Sequence, residues 1–562
     1  MQKARYYVIL LAIVLLAAIL RLYQLDIHPE HFDQDESVVA YDAWSIWRTG
    51  ADHHGSFLPS HFRAFNEYLP GLAQYITAPF VGILGLDEFS ARLPFALMGV
   101  ATVFLTASLG RSWFGEKAGL LAALLLATEP WHLTFSRLAL TNSIVPFFTV
   151  VALYLFTRAA KVLSSATKPW NRVALGWVML SAFSFALLTR TYQPLKIEAP
   201  ILFIGCLVAF LPFLRRHWRI LLAWIALYVL FTSPQWIDQL VHWNLFQSQF
   251  NHNNILTMPD WPLVFLGHYS SQYNPINLFI SGFGGGQSIH PTGIGQLFWL
   301  EGLLWIAAIV GILRKKGLEF TGFNLPIFIG WWFFTWPLAA ALTVTGIPTE
   351  TRTVNFLPLP ELLAAYGAVV IFDILRAKQG RLRSAVTYSL VAATAIIYLV
   401  FNVYFLANFF STPILERNDI AQNVAPYNVG LGTVLKAVSA QSTDCDTIRV
   451  EQENQAYIYY LFFSQYPPEK FQKAELFETP APPDDFNYIP WFNNVRFVNR
   501  NDLLHPNNFK YPTPPLCPNT DGHYTFMVRR QEFVSPDWTE VAASRTKGGN
   551  VLWVAYRSTS PQ

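Results

Sequence analysis

The chain has 562 residues, of which 53% are hydrophobic and 13% charged, and its formal net charge is +3. Soluble domains carry roughly a quarter charged residues, so this composition excludes a soluble single-domain enzyme and a disordered protein. The small net charge gives no electrostatic footprint for nucleic-acid binding, and three cysteines are too few for a disulfide framework.

Apolar runs of roughly 17–25 residues predict membrane-spanning helices. The first run follows Lys3 and Arg5 and lacks a small-residue cleavage site, which favours an uncleaved anchor over a signal peptide. Eleven such runs occur, near residues 6–25, 92–110, 117–133, 141–160, 172–189, 197–214, 218–236, 296–313, 324–345, 357–375 and 385–407.

The basic residues give these spans an orientation. With the N-terminus in the cytoplasm, 18 of the 26 Lys and Arg residues within 1–407 lie at cytoplasmic ends or loops, as the positive-inside rule requires. The outer face then receives the loops 26–91 and 237–295 and the tail 408–562. We therefore predict a polytopic α-helical membrane domain over 1–407, followed by an extracytoplasmic domain over 408–562.

The tail is more polar, with 29 of the 75 charged side chains, and its patterns predict a mixed α/β domain. TIRVEQ and YIYYLFF are strands or short helices, whereas HYTFMVRR and NVLWVAYRS are strands. The aromatic residues of the tail could stack on sugars, but a small domain needs them for its core, and we favour the core. Cys445 and Cys517 form a disulfide or remain two thiols.

The densest chemistry lies in the first long loop, residues 26–91. Asp33, Asp35 and Glu36 stand immediately before a stretch with helical spacing. Asp33 and Glu36 have the spacing of a capping box, and acids favour a helix N-terminus. Asp35 is not needed for capping, which makes it a candidate catalytic group.

Further motifs follow these acids in order. After the DE pair come Tyr-Asp-Ala, TGADHHG, Leu-Pro and FNEYLP, then GLDEFSARLPFALMG (85–99), SRLALTN (136–142) and GIPTETRTVNFLPLP (346–360). This series resembles the protein O-mannosyltransferase-like branch of the GT-C membrane glycosyltransferases, which also contains the aminoarabinose transferases of lipid A. The resemblance covers residues 1–407 and is looser in the tail.

The resemblance implies an inverting transfer of a sugar from a polyprenyl-phosphate donor to an acceptor on the outer face. The acceptor is a protein, a lipid or a glycan. The transferred sugar is a hexose or a pentose, so the enzyme is a hexosyltransferase or a pentosyltransferase. By the match to the family motif, Asp35 is the expected general base and Glu36 its support. Cations stabilise the leaving phosphate. We expect these to be Arg352, Arg137, Lys196 and Arg190, unless nearby acids pair with them.

The resemblance also suggests a divalent-metal site, because some members of the family bind a metal at the acidic position that Glu67 matches. His53 or His290 would complete a carboxylate–imidazole site, although a solvated turn also explains His53. Several members have an aspartate where this chain has Asn142, so Asp33 or Asp42 takes over that role or the metal arrangement is absent. Tyr192 lies between Arg190 and Lys196 and belongs to the same candidate site.

Two other classes of protein fit the membrane composition. A transporter or flippase of lipid-linked sugars would place ionisable groups near the midplane in repeat-related broken helices, but here the acids cluster in a loop. A non-catalytic scaffold with a sugar-binding tail would need none of these acids. Transfer or hydrolysis of a labelled polyprenyl-phosphate sugar in detergent separates the enzyme from both.

The predicted topology can be tested with single cysteines. A membrane-impermeant maleimide should label Ser56→Cys and Ser535→Cys in intact cells and should not label Ser164→Cys, because the first two lie outside in the predicted topology. Protection of Ser535→Cys would mean that the number of spans is wrong and that the tail is cytoplasmic.

Overall fold

A computed structural model describes residues 2–65, 67–166, 170–241, 254–282, 294–314, 319–320, 322–344, 348–377, 381–411, 429–452, 455–479, 488–499, 503 and 523–560. The chain divides into two compact units. The helical unit comprises residues 1–23, 69–73 and 93–409, and the sheet unit comprises residues 24–68, 74–92 and 410–562.

A helix or a pair of helices occupies each of the eleven predicted apolar runs. Six of the described helices are long and apolar enough to cross a membrane, and four shorter ones are also apolar, so the helical membrane class is confirmed while the number of spans stays a prediction. The α-helices that lie wholly or largely in the helical unit are Gln2–Leu22, Glu88–Phe114, Glu116–Thr128, Pro130–Phe135, Val145–Ser165, Arg172–Leu188, Leu195–Ala209, Leu211–Arg216, Trp218–Val241, Trp261–Ser271, Trp299–Leu313, Leu325–Thr335, Leu338–Ala341, Leu359–Ala377 and Arg381–Phe409.

Helical periodicity explains how the first helix packs. Tyr6, Ile13 and Ala17 recur at intervals of seven and four residues, which places them on one face. That face is buried against the helices Glu88–Phe114 and Glu116–Thr128. The other side of the first helix is largely exposed and apolar, as expected for a surface that meets lipid.

Residues with small side chains allow two further helices of this unit to approach each other closely. A Cβ atom added at Gly367 would lie 1.9 Å from the carbonyl oxygen of Leu304. The backbones of the helices Trp299–Leu313 and Leu359–Ala377 therefore come into contact at Gly367, which is the usual use of small residues between membrane helices.

The strands, in chain order, are β1 (His61–Ala64), β2 (Glu67–Pro70), β3 (Glu319–Phe320), β4 (Phe323–Asn324), β5 (Thr447–Glu451), β6 (Leu476–Thr479), β7 (Tyr488–Phe492), β8 (Val495–Val498), β9 (Thr525–Arg529), β10 (Trp538–Arg545) and β11 (Val551–Ser558). The strands β5–β11 form one mixed sheet in the order β10-β11-β9-β5-β8-β7-β6. In it, β5 is parallel to both β8 and β9, and the other pairs are antiparallel. The α-helices of the sheet unit are Gln34–Thr49, Leu72–Leu84, Leu431–Gln441, Ala456–Phe463 and Pro468–Phe471.

The mixed α/β character predicted for the tail is confirmed, with TIRVE as a strand and AYIYYLFF as a helix. Tyr457, Trp491 and Trp553 are all buried, which confirms that these aromatic residues serve the core. Cys445 is disulfide-bonded, and Cys517 lies outside the described residues.

The first long loop and the tail fold together. The ring of Phe32 stacks on that of Phe462 with centroids 4.5 Å apart, and the hydroxyl of Tyr41 donates to the carbonyl of Tyr466 at 2.6 Å. The Gln472 amide adds hydrogen bonds to the end of the helix Gln34–Thr49. The compact sheet unit therefore contains both a segment that precedes most of the helices and the whole described tail.

Candidate functional site

The helix Gln34–Thr49 begins with a complete capping box. The Asp33 side chain accepts from backbone N–H groups of the first turn, and the Glu36 side chain accepts from the Asp33 N–H at 3.2 Å. These bonds satisfy amides that otherwise have no partner at a helix start. The capping role predicted for Asp33 and Glu36 is confirmed, and Asp35 is the acid that the cap does not require.

Glu36 also forms a buried ion pair with Arg92. Both carboxylate oxygens accept from the guanidinium, at 2.9 Å each, and both side chains are almost completely buried. The remaining guanidinium N–H groups donate to the carbonyls of Leu25, Pro29 and His31. Arg92 therefore uses all five of its donors to fix the segment that leads into Asp35.

Asp35 differs from its neighbours because its side chain is exposed. Water reaches this carboxyl, but protein surrounds it closely, and the resulting desolvation is the main reason why the pKa of Asp35 is raised to about 8. The charges of Asp33, Glu67 and Glu36 raise this pKa further. An accessible carboxyl with such a pKa is suited to accept a proton near neutral pH.

His53 is held by Asp42 in the interior of the sheet unit. Its Nδ1 lies 2.6 Å from Asp42 Oδ1, its backbone N–H donates to the same oxygen at 2.9 Å, and both side chains are buried. Burial alone would lower the pKa of His53, but the carboxylate of Asp42 outweighs it and the pKa is raised. The solvated turn is therefore the wrong explanation for His53, and Asp42 already has a partner in this imidazole.

The described side chains do not support the predicted divalent-metal site. Among them, no three His, Cys, Asp or Glu residues converge as a metal-binding group. Glu67 contributes to the charge around Asp35, whereas His53 pairs with Asp42. His290 lies outside the described residues, so a site that includes it stays a prediction.

In the helical unit, Arg352 lies in a loop that other side chains anchor. Its Nη1 donates to Thr343 Oγ1 at 2.9 Å, and the side chain is half-buried. The Asn142 amide donates to the neighbouring carbonyl of Thr351 at 3.0 Å. Asn142 therefore occupies a position next to the Arg352 loop, where it acts as a hydrogen-bond donor and carries no charge.

Arg190 and Lys196 share an acid that the sequence did not single out. Both interact electrostatically with Asp238 near the end of the helix Trp218–Val241. Tyr192 lies between them in the turn before the helix Leu195–Ala209, where its carbonyl accepts from the Leu195 N–H at 3.0 Å. An acidic residue two positions after an apolar run was the available signal for Asp238, because ionisable residues at the edge of a membrane are often functional.

Arg137 has a different environment from these cations. Its guanidinium is fully buried and donates to the carbonyls of Leu20 and Tyr23, at 2.8 and 2.9 Å. Arg21 is equally buried and donates to the carbonyls of Leu126 and Ala127. Both arginines join the end of the first helix to its neighbours and satisfy carbonyls there. Arg137 therefore helps to hold the helices together, and its assignment as a phosphate ligand stays a prediction.

The sheet unit contains a cavity beside Arg92. Its volume is about 90 Å³, and its polar lining includes Asp26, Glu30, His31 and Glu88. Sites for small molecules usually measure roughly 300–1,000 Å³. This cavity is therefore too small to hold a lipid or a complete sugar, and we do not assign the donor to it.

Part of the sequence is similar to known proteins. The family model for dolichyl-phosphate-mannose-protein mannosyltransferase matches residues 69–237. The protein YycA of Bacillus subtilis (strain 168), assigned to the mannosyltransferases, is 29% identical over 165 residues. That match spans 29% of this chain and 23% of the relative.

Two solved structures show the same fold. ArnT from Cupriavidus metallidurans, bound to undecaprenyl phosphate, matches with a TM-score of 0.53 and 13% identity over 98% of both chains. The oligosaccharyltransferase AglB from Archaeoglobus fulgidus, in complex with an inhibitory peptide and a dolichol-phosphate, matches with a TM-score of 0.52 and 15% identity. This second match covers 82% of this chain and 64% of AglB.

The resemblance to the GT-C membrane glycosyltransferases is thus confirmed. The fold is similar to that of ArnT over almost the whole chain, and the matched sequence segment is similar to mannosyltransferases. The family match begins at residue 69, after the acids around Asp35. The roles of the individual site residues are therefore argued from their geometry.

A substitution at Glu36 tests whether the Glu36–Arg92 pair stabilises the segment that bears Asp35. Glu36→Gln should lower the free energy of unfolding by about 3–5 kcal/mol, because it leaves a buried guanidinium without its counter-charge. Thermal unfolding of the full chain in detergent measures the loss. The matched control is Glu469→Gln, which breaks the exposed pair with Arg48 and should cost less than about 1 kcal/mol. Equal stability of the two variants would contradict a supporting role for Glu36.

Proposed function

We propose that this protein is an inverting glycosyltransferase that moves a sugar from a polyprenyl-phosphate donor to an acceptor on the outer face of the membrane. In this proposal the N-terminus is cytoplasmic and the sheet unit extracytoplasmic. The acceptor is a protein, a lipid or a glycan. The observation that carries the proposal is the accessible Asp35 carboxyl, whose pKa is raised to about 8 by its surroundings.

The chemistry requires a base on the acceptor side. The acceptor oxygen forms a bond to the anomeric carbon, its proton passes to the Asp35 carboxylate, and the bond from that carbon to the phosphate oxygen breaks. The electron pair of that bond leaves with polyprenyl phosphate, and the anomeric configuration inverts. The Glu36–Arg92 pair keeps the base in position, and Asp33 completes the cap beneath it.

The leaving phosphate requires cations to stabilise its charge. Arg352 is half-buried and lies in an anchored loop, and its planar guanidinium suits a phosphate. Lys196 and Arg190, with Tyr192 between them, supply further positive charge beside Asp238. The solved structures of ArnT with undecaprenyl phosphate and of AglB with a dolichol-phosphate support a lipid phosphate as the ligand of this fold.

Asp35→Asn tests the assignment of the base. The change keeps the size of the side chain but cannot accept the acceptor proton, so transfer should fall by at least roughly 10²-fold. Sugar transfer from a labelled polyprenyl-phosphate donor, or donor hydrolysis without an acceptor, measures the loss. The matched control is Asp26→Asn, an exposed aspartate in the same loop, which should keep normal turnover. Ordinary turnover in Asp35→Asn would overturn the assignment and direct attention to Asp33 or Glu67.

The pH dependence follows from the raised pKa of Asp35, which is about 8. Because a base must be deprotonated, transfer by the wild-type protein should rise with pH and level off above about 8. The same raised pKa destabilises the folded protein progressively from the usual aspartate range up to about pH 8. Asp35→Asn should therefore melt at or above the wild-type temperature at pH 9, so loss of its activity would not reflect unfolding.

Arg352→Ala tests the phosphate side. Removal of a donor that stabilises charge in the transition state should lower transfer by roughly 10²-fold while melting changes little. Steady-state kinetics with varied donor concentration measures the effect on kcat and KM. The control Arg219→Ala removes an exposed arginine of the same unit and should leave both constants unchanged. Near-normal transfer by Arg352→Ala would place the phosphate elsewhere, with Lys196 as the next candidate.

A further inference from the structure

Three arginines lie on one face of the central strands of the sheet unit. Arg449 of β5 stands directly opposite Arg496 of β8 and Met527 of β9. Register partners in neighbouring strands project to the same face, and residues two apart on a strand do so as well. Arg529, two residues after Met527, therefore shares this face with Arg449 and Arg496.

These arginines have few compensating partners. Arg449 donates to the carbonyl of Leu503 at 3.3 Å, and Arg496 donates to nearby backbone carbonyls and lies 5.6 Å from the ring of Trp491. Arg529 is 7% exposed, and its Nε and Nη1 form no hydrogen bond. Its guanidinium lies 5.4 Å from the ring of Phe533.

The ion pairs between described side chains do not neutralise these arginines. None of the ion pairs between described residues includes Arg449, Arg496 or Arg529. Among the described residues of these three strands, Glu451 also lies on this face, and its carboxylate accepts from the backbone N–H of Arg530 at 2.9 Å. Like charges directly opposite in a sheet are destabilising, and a buried cation without a partner is more so.

The repulsion between these buried arginines lowers the stability of the sheet unit, which indicates that the arginines have another role. Burial also lowers the pKa of Arg496, to about 10, with Arg449 as the second cause. A multidentate oxyanion would offset the repulsion and accept from the unused donors, because guanidinium groups bind such anions through paired N–H bonds. An apolar ligand would do neither.

We propose that this face of the sheet binds a phosphate-class oxyanion, with Arg449, Arg496 and Arg529 as its ligands. The ligand is either a soluble phosphate or the headgroup phosphate of a lipid. The site is formed entirely within the sheet unit by residues that the proposed transfer reaction does not use. Its test uses stability as the readout, so the failure of one proposal would not affect the other.

The experiment measures thermal unfolding of the full chain in detergent with increasing inorganic phosphate, while sodium chloride keeps the ionic strength constant. The wild-type Tm should rise by about 2–4 °C as the site fills. Arg529→Met should lose this shift and, without phosphate, should melt at or above the wild-type temperature, because it removes a buried cation that lacks partners. Arg545→Met, in β10, removes an exposed arginine that pairs with Glu532 and Glu540, and it should keep the full shift.

A second variant and a second medium complete the test. If Arg529→Met does not fold, Arg449→Met carries the same comparison, because its side chain is only partly buried. Nanodiscs that contain phosphatidylglycerol or phosphatidylcholine, without added phosphate, show whether the bound phosphate belongs to a lipid. If phosphatidylglycerol stabilises the wild type but not the arginine variant, the ligand is a lipid headgroup. The proposal is overturned if neither medium stabilises the wild type, or if wild type and the folded variant respond alike.

Discussion

The buried pair between Glu36 and Arg92 is the interaction on which the candidate site depends. Arg92 satisfies both oxygens of Glu36 and three carbonyls of the preceding segment, so it fixes the helix start and the chain that leads to it. Such a pair adds little net stability compared with apolar residues, but it is costly to break on one side. Its effect here is to hold Asp35 in an accessible position among other acids.

Burial and hydrogen bonding distinguish the ionisable groups held in the interior from the more accessible candidate site residues. Arg21, Arg92 and Arg137 have the same charge as Arg352, but they are buried and donate to several backbone carbonyls. Arg352 is half-buried in a loop that other residues anchor. The same criterion separates Asp35 from Asp42, whose carboxylate is buried against His53. Residue type and position along the chain do not make this distinction.

The fold unites segments that are far apart in the sequence. The first long loop packs on the tail through the Phe32–Phe462 stack and the Tyr41–Tyr466 hydrogen bond. A boundary near residue 408 follows from composition, but the compact sheet unit also takes in residues 24–68 and 74–92. An acid-bearing loop that packs against the helix Ala456–Phe463 has a more defined position than an isolated loop, which suits a catalytic base.

The sequence by itself determined the helical membrane class, the mixed character of the tail, the capping box at Asp33 and Glu36, and the resemblance to the GT-C glycosyltransferases. These features depend on local periodicity and on short motifs, and both are set by residues that are close together in the sequence. Only the tertiary structure decided that Arg137 is buried and donates to backbone carbonyls, that His53 is buried against Asp42, that Arg92 supports Glu36, and that three arginines share one face of the sheet. Each of these depends on contacts between residues distant along the chain, and burial, which sets the cost of a charge, is a property of the packed molecule.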